Sequence, residues 1–424
     1  MSIQFLENLP KARAAGQRAG ITSVCSAHPV VIRAALRHGL ADDAPVLIEA
    51  TCNQVNQDGG YTGMTPTDFR AFVEREAAQV GFPKERILFG GDHLGPNPWK
   101  HLPAEQALAK AEVMIAEFVR AGFSKIHVDT SMGCLGEPAA LADEQTAGRA
   151  VRLVKAAEAA RSSSEAPVYI IGTEVPVPGG AVESLDHMQV TDPSAARQTV
   201  EIHRCAFEKA GLTEAWQRVI GLVVQPGVEF GHEDVIIYEP ERAQALSKTL
   251  DALPGFVFEA HSTDYQPRAA LSSLVRDGFV ILKVGPELTF VLREALYGLD
   301  AVAKELGLAP ERPGLKSVVE ARMCAEPGHW KNYYMGTGPE LYIQRHYSLS
   351  DRIRYYWPDK QIEAAVDQLL SAFNGVKIPP PLIRQYFPGI IKPDAGLPPA
   401  STAGELMEQA VIESLNRYKY AIKE

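Results

Sequence analysis

This chain is short of positive charge, cysteine and long apolar runs, and each shortage removes a class of function. Its 42 Lys and Arg against 52 Asp and Glu leave a net charge of −10 over 424 residues. A nucleic-acid or membrane-surface protein needs a basic face to meet phosphates, so neither partner is expected. The five cysteines, Cys25, Cys52, Cys134, Cys205 and Cys324, are odd in number and form no C-x-x-C pair, which fits reduced thiols in a cytoplasmic protein. No apolar run approaches the roughly 20 residues of a membrane span. The first residues, MSIQFLEN, have neither a basic nor an apolar leader segment, so the protein is expected to be soluble and unexported. No G-x-G-x-x-G follows the first strand-like run and no G-x-x-x-x-G-K-[ST] occurs. The two familiar nucleotide cradles therefore lack support.

What the sequence does have is alternation. Short β-branched runs at 21–25, 45–48, 87–89, 125–128, 168–171, 219–224, 256–258 and 280–284 are separated by stretches rich in Ala, Leu, Glu and Lys, with apolar residues three and four apart. Near-continuous apolar strands alternating with helices imply a parallel sheet covered on both faces. Eight such units over about 290 residues predict an α/β fold, a (β/α)8 TIM barrel. The 46% apolar content supplies a core of that size. The barrel is expected over residues 1–304. Residues 305–424, where the alternation stops, are expected to form a helical extension packed on it, closing the site or mediating a homo-oligomer. Within it Pro379, Pro380 and Pro381 mark a break, and Thr402 with Glu405 forms a capping box before a last helix.

In such a barrel the chemistry gathers where strands end. The third run leads into Phe89-Gly90-Gly91-Asp92-His93-Leu94-Gly95-Pro96, where an imidazole can ligate a metal and the adjacent carboxyl can move a proton. The structural alternative makes Asp92 a helix cap and His93 a core residue. His93, His261 and either Glu229 or His232 come from the third, seventh and sixth strand ends. Three ligands with an open position suit a catalytic divalent ion, Zn2+ first among candidates, that polarises a carbonyl. The loops after the seventh and eighth runs supply Ser262, Thr263, Lys283 and Gly285 as phosphate-binding candidates, with Asp264 and Glu287 then pointing outward or capping helices. Asn53 and Gln54 open an amide-rich loop, NQVNQDGGY, with the character of a sugar-hydroxyl clamp. Asp129 and Gln225, at two further strand ends, complete the substrate-contact candidates. Arg352 and Arg354 sit among Tyr355, Tyr356 and Trp357, a pattern that serves core packing or brings one arginine to a phosphate.

The blocks SVCSAHP (23–29), LIEATCNQVNQ (47–57), GGYTGMTP (59–66), GDHLGPN (91–97), GFSKIH (122–127), IGTEVPVPGG (171–180), VQPGVEF (224–230), EAHSTDYQ (259–266) and SLSDRIRYYWP (348–358) resemble those of the GatZ/KbaZ family. The resemblance implies either a D-tagatose 6-phosphate 4-epimerase or the accessory, non-catalytic subunit of a class II tagatose-1,6-bisphosphate aldolase. Some members also carry a tagatose-6-phosphate kinase label. A more distant likeness to class II aldolases makes Asp92 and His93 similar to their acid and metal ligand, His261 to a later ligand, and residues 282–285 to their last phosphate-binding strand end. The middle ligand departs from that pattern, and the choice between Glu229 and His232 stays open. In a 2-ketose the hydrogen at C4 is not alpha to the carbonyl, so deprotonation alone cannot invert that centre. Cleavage and re-formation of the C3–C4 bond can, given a divalent ion on the C2 and C3 oxygens and Asp92 or Glu174 as acid/base at the C4 hydroxyl. A site with these groups places the epimerase first, with a sugar phosphate as ligand and an aldolase subunit as the alternative partner.

Overall fold

The structure, a computed structural model, describes residues 2–161, 166–172, 188–308, 313–391 and 396–423. Ten strands follow in chain order: β1 Ile21–Val24, β2 Val46–Thr51, β3 Ile87–Leu94, β4 Lys125–Val128, β5 Val168–Ile171, β6 Val219–Val223, β7 Glu229–Phe230, β8 Val235–Ile236, β9 Val257–Ala260 and β10 Phe279–Val284. Eight of them close into a parallel barrel in the order β1-β10-β9-β6-β5-β4-β3-β2, and β7 with β8 forms a small antiparallel hairpin. All eight expected barrel strands are present. The third runs on from Phe89 to Leu94, because Gly90 and Gly91 continue the pairing with Glu49 and Ala50 of β2. A Cβ on Gly90 would lie 2.6 Å from Glu49 Cγ. The glycine that weakens the strand signal thus makes room for a charged side chain inside the barrel.

One end of the barrel is closed by apolar packing. The N-terminal helix Ser2–Ala14 lays Leu6 and Leu9 against Ile21, Leu47, Leu88, Ile170 and Val257. The opposite end, where the strands finish, carries the polar residues, the face at which such barrels place their sites. Helices Pro29–Ala41, Pro66–Val80, Ala104–Arg120, Asp143–Ala160 and Pro193–Lys209 cover the outside. Their first turns are fixed locally: Thr65 and Asp68 form a capping box, and the Asp192 side chain accepts from Ser194 and Ala195 N–H.

Beyond helix Pro286–Glu305 the chain forms helices Leu315–Ala325, Gly338–Tyr347, Lys360–Ala372 and Pro380–Tyr386, then the last helix, Ala403–Lys423. Thr402 and Glu405 make the expected capping box, with Thr402 N–H donating to Glu405 Oε2 at 2.8 Å and Glu405 N–H to Thr402 Oγ1 at 3.3 Å. This helix returns to the barrel wall, packing on Pro29–Ala41, Arg268–Arg276, Pro286–Glu305 and β1. Its Tyr418, wholly buried, donates its hydroxyl to Thr263 C=O at 2.8 Å. The C-terminal helix therefore fixes the loop that follows β9.

Gly95 marks how closely β3 and β4 finish together, since a Cβ there would lie 1.6 Å from the Asp129 carbonyl oxygen. Gly95→Ala is expected to lower stability by about 1–3 kcal/mol or more and to shift Asp129, measured as a fall in thermal midpoint.

Candidate functional site

The side chains that point into the barrel at its open end are charged, and each charge meets an opposite one. Lys125 Nζ stands 2.7 Å from Glu49 Oε1 and 2.7 Å from Glu259 Oε2. Lys283 Nζ contacts Glu49 Oε2 and lies 2.7 Å from Asp92 Oδ1 and 3.8 Å from Glu259 Oε1. Glu49, Lys125 and Glu259 have no solvent exposure. Charges so deep persist only when paired, because desolvation costs several kcal/mol per ion. Burial by itself would raise the Asp92 carboxyl, but His93, Lys283 and His127 outweigh it and hold Asp92 well below the usual carboxylate range. Glu259 is likewise held low by Lys125 and Lys283 against its own burial.

Above this layer three imidazoles converge. The rings of His93 and His261 are 4.8 Å apart, His93 and His127 5.1 Å, and His127 and His261 5.2 Å. Each ring has one nitrogen tied to a carboxylate: His93 Nδ1 to Asp129 Oδ2 at 2.9 Å, His127 Nδ1 to Asp92 Oδ1 at 2.9 Å, and His261 Nε2 to Glu259 Oε1 at 3.0 Å. Backing of a ring by a carboxylate is the usual arrangement behind metal-bound histidine. His127 Nε2 is buried with no hydrogen-bond partner among the described residues. One ligand atom from each of Asp92, His127, Glu259 and His261 lies within 4.8 Å of the others. Three carboxylates, Glu49, Asp92 and Glu259, face two ammonium groups, Lys125 and Lys283, and Asp129 faces the His93 ring, so carboxylates outnumber lysines in a buried place. A divalent cation neutralises that excess, and the donor set fits one. Burial would lower the His93 imidazole, but Asp92 and Asp129 outweigh it and raise it, whereas His261 is pushed down to about 3 by burial. His93 and Ser262 sit at φ of 50° and 54°, a left-handed strain held at the site by its surroundings.

The expected residues separate into those the fold gathers and those it uses elsewhere. Asp92, His93, His261, Ser262, Asn53 and Gln54 line the cavity at the barrel mouth. His232 does not join them: its Nδ1 is 3.0 Å from Ser348 Oγ and its Nε2 3.0 Å from Tyr333 C=O, so both nitrogens serve the C-terminal region. Glu229 lies in the hairpin, accepts its neighbour Phe230 N–H at 2.9 Å and stands outside the four-ligand group. Asp129 acts on His93 and Ser131. Gln225 Oε1 accepts Gly227 and Val228 N–H at 2.8 and 2.9 Å, shaping its own turn. Glu174 lies outside the described residues.

The expected phosphate loops are internally satisfied. Thr263 Oγ1 donates to Lys283 C=O at 2.6 Å, away from the cavity. Gly285 N–H and Glu287 N–H both donate to Asp264 Oδ1, at 3.0 and 2.8 Å. Asp264 therefore caps helix Pro286–Glu305 from a distance and fills the place an anion would take. Lys283 lines the cavity but is committed to carboxylates.

Glu49, Lys125, His127 and Glu259 were not among the expected site residues. Their signal was available: Lys125, His127 and Asp129 alternate, as do Glu259 and His261, and period two puts each set on one face of its strand. From the C-terminal region Arg354 and Tyr355 also reach the mouth, where Tyr355 meets the Tyr61 ring edge-on at 4.8 Å. Arg352 packs over Tyr333 at 3.3 Å instead. Of the arginine and aromatic cluster, Arg352 serves packing and Arg354 lines the cavity.

Lys125→Met leaves Glu49 and Glu259 buried without their shared partner and is expected to cost about 3–5 kcal/mol, read by denaturant unfolding. Burial pushes Glu229 and Asp264 up to about 7. Folded values above those of the unfolded chain mean that the folded form binds these protons more tightly. Stability therefore falls as pH rises from about 4 to about 7. Glu229→Gln is expected to flatten part of that fall in a plot of thermal midpoint against pH.

Residues 6–423 match the family described as D-tagatose-1,6-bisphosphate aldolase subunit GatZ/KbaZ-like. A protein of Agrobacterium fabrum (strain C58 / ATCC 33970) named D-tagatose 6-phosphate 4-epimerase is 54% identical over 416 residues, 97% of this chain and 96% of that protein. A crystal structure described as a probable tagatose 6 phosphate kinase from Sinorhizobium meliloti 1021 superposes with a TM-score of 0.87 at 55% identity, covering 95% of this chain and all of that one. The motif blocks, the barrel and these matches agree, and the chain belongs to the GatZ/KbaZ-like family.

Proposed function

We propose that the chain interconverts D-tagatose 6-phosphate and D-fructose 6-phosphate by inverting C4 through cleavage and re-formation of the C3–C4 bond. The observation that carries this reading is Asp92 paired with Lys283 at 2.7 Å, lining one cavity with His93 and His261 while His127 packs behind them. The name of the Agrobacterium relative agrees with it. A kinase reading has no G-x-x-x-x-G-K-[ST] loop to draw on.

Asp92, kept charged by His93, Lys283 and His127, starts as a base and takes the C4 hydroxyl proton as the C3–C4 bond opens. The bonding electrons remain with the C1–C3 fragment, and C4 becomes an aldehyde carrying the phosphate. Rotation of that aldehyde presents its other face; the bond re-forms and Asp92 returns the proton. His261 and His127, with His93 beside them, would hold a divalent ion, which would supply Lewis-acid stabilisation of the substrate's oxygens; the nitrogen-rich donors suit Zn2+. Asp129 fixes the His93 ring through Nδ1, and the buried lysines keep the carboxylates anionic. Asn53 and Gln54, on the cavity wall, face the sugar hydroxyls.

Purified protein incubated with D-tagatose 6-phosphate is expected to yield D-fructose 6-phosphate by NMR, with the conversion lost to chelator and in His93→Ala. Asp92→Asn is expected to lower kcat by about 10²–10⁴-fold. Silence of the intact protein with metal present, together with stabilisation of a separate class II aldolase on mixing, would replace this reading by the accessory-subunit one.

A further inference from the structure

Taking the sugar-phosphate reading above as its premise, we infer that the substrate's phosphate is seated on Arg354, in the C-terminal segment, and not on the loops that end the barrel strands. Among the described residues, the main anion-binding groups of those loops are already engaged. Asp264 already accepts the Gly285 and Glu287 amides at 3.0 and 2.8 Å, Thr263 donates to a backbone carbonyl at 2.6 Å, and Lys283 is held 2.7 Å from Asp92. A phosphate arriving there would have to displace a carboxylate from a helix N-terminus.

Arg354 is placed differently. It lines the same cavity as Asp92, His93 and His261, and no carboxylate lies within 4.0 Å of its guanidinium among the described residues. Its bonds go to uncharged acceptors: Nη1 to the Ser350 carbonyl and, at 2.9 Å, the Asp351 carbonyl, and Nη2 to Tyr355 Oη at 3.0 Å. Nε has no acceptor among the described residues. A guanidinium edge of Nε and Nη2 is the fork that meets phosphate oxygens in pairs. No ion pair within 4.0 Å has to be broken for an anion to reach this guanidinium.

The segment is also held rigidly enough to present that fork. Asp351 at φ 45° takes a hydrogen bond from Thr289 Oγ1 at 2.5 Å, Leu349 N–H donates to His232 C=O at 2.9 Å, and Tyr265 Oη donates to Leu349 C=O at 2.6 Å. His232, free of any ligand role, thereby becomes part of the latch that positions Arg354. Charge supports the same arrangement. Asp92 and Glu259 repel a phosphate from the carboxylate layer, whereas Arg354 offers the same cavity a cation outside that layer.

The test measures binding separately from turnover. Inorganic phosphate and D-tagatose 6-phosphate are titrated into the intact protein by calorimetry, for wild type, Arg354→Gln, Arg354→Lys and Ser262→Ala. Epimerisation of D-tagatose 6-phosphate and of unphosphorylated D-tagatose is followed in parallel. Arg354→Gln is expected to weaken phosphate binding about tenfold or more and to raise KM for the phosphorylated sugar by a similar factor. Its loss of kcat/KM should be larger on D-tagatose 6-phosphate than on unphosphorylated D-tagatose, and Arg354→Lys should recover part of the affinity. Equal phosphate affinity in wild type and a folded Arg354→Gln would overturn the assignment, as would absence of phosphate binding in wild type or loss confined to Ser262→Ala. Phosphate binding that depends on Arg354 in a protein without turnover would support the seat and sink the epimerase reading alone.

Discussion

Two lysines inside the barrel, Lys125 and Lys283, are the constraint on which the rest of the site depends. An ordinary parallel barrel fills its interior with branched apolar side chains, whereas here Glu49, Asp92, Lys125, Glu259 and Lys283 occupy the end of the interior nearest the mouth. Such a layer contributes little net stability, because the attraction between the charges is largely offset by the cost of drying them. Its effect is electrostatic. It keeps Asp92 and Glu259 anionic where burial alone would protonate them, and these anions orient His127 and His261. Removing either lysine would change the protonation of the imidazole cluster as well as the packing.

The site is shared between barrel and C-terminal region. Tyr418 of the last helix holds the backbone of Thr263, and Arg354 and Tyr355 line the mouth. The loop after β9 is therefore fixed from outside the barrel, while Asp264 completes the helix that follows β10. Loops tied down in this way hold their side chains in place and leave few free amides, while Arg354 and Tyr355 add groups from beyond the barrel to the cavity wall.

Much of this was legible in the chain. The eight strand runs follow from β-branched content and helical spacing between them, and Asp92, His93 and His261 were identifiable because they end apolar runs. Of the two candidates for the middle ligand, His232 has its two nitrogens taken by Ser348 and Tyr333, more than a hundred residues later in the chain, and nothing local announces that. His127 was overlooked because it lies inside a four-residue strand that reads as apolar, although its alternation with Lys125 and Asp129 marks an inward face. Glu49 and Glu259 look like ordinary strand residues until the barrel closes and brings Lys125 between them. Gly90 looked like a strand end and is instead the space Glu49 needs.

The central claim is that C4 is inverted by breaking a carbon–carbon bond at this cavity. Kinetic isotope effects on the conversion of D-tagatose 6-phosphate test it most directly. The account predicts a carbon-13 effect at C3 and C4 with no primary deuterium effect at C4. A primary deuterium effect at C4, with none from carbon at C3, would mean that a C–H bond breaks instead and would contradict it.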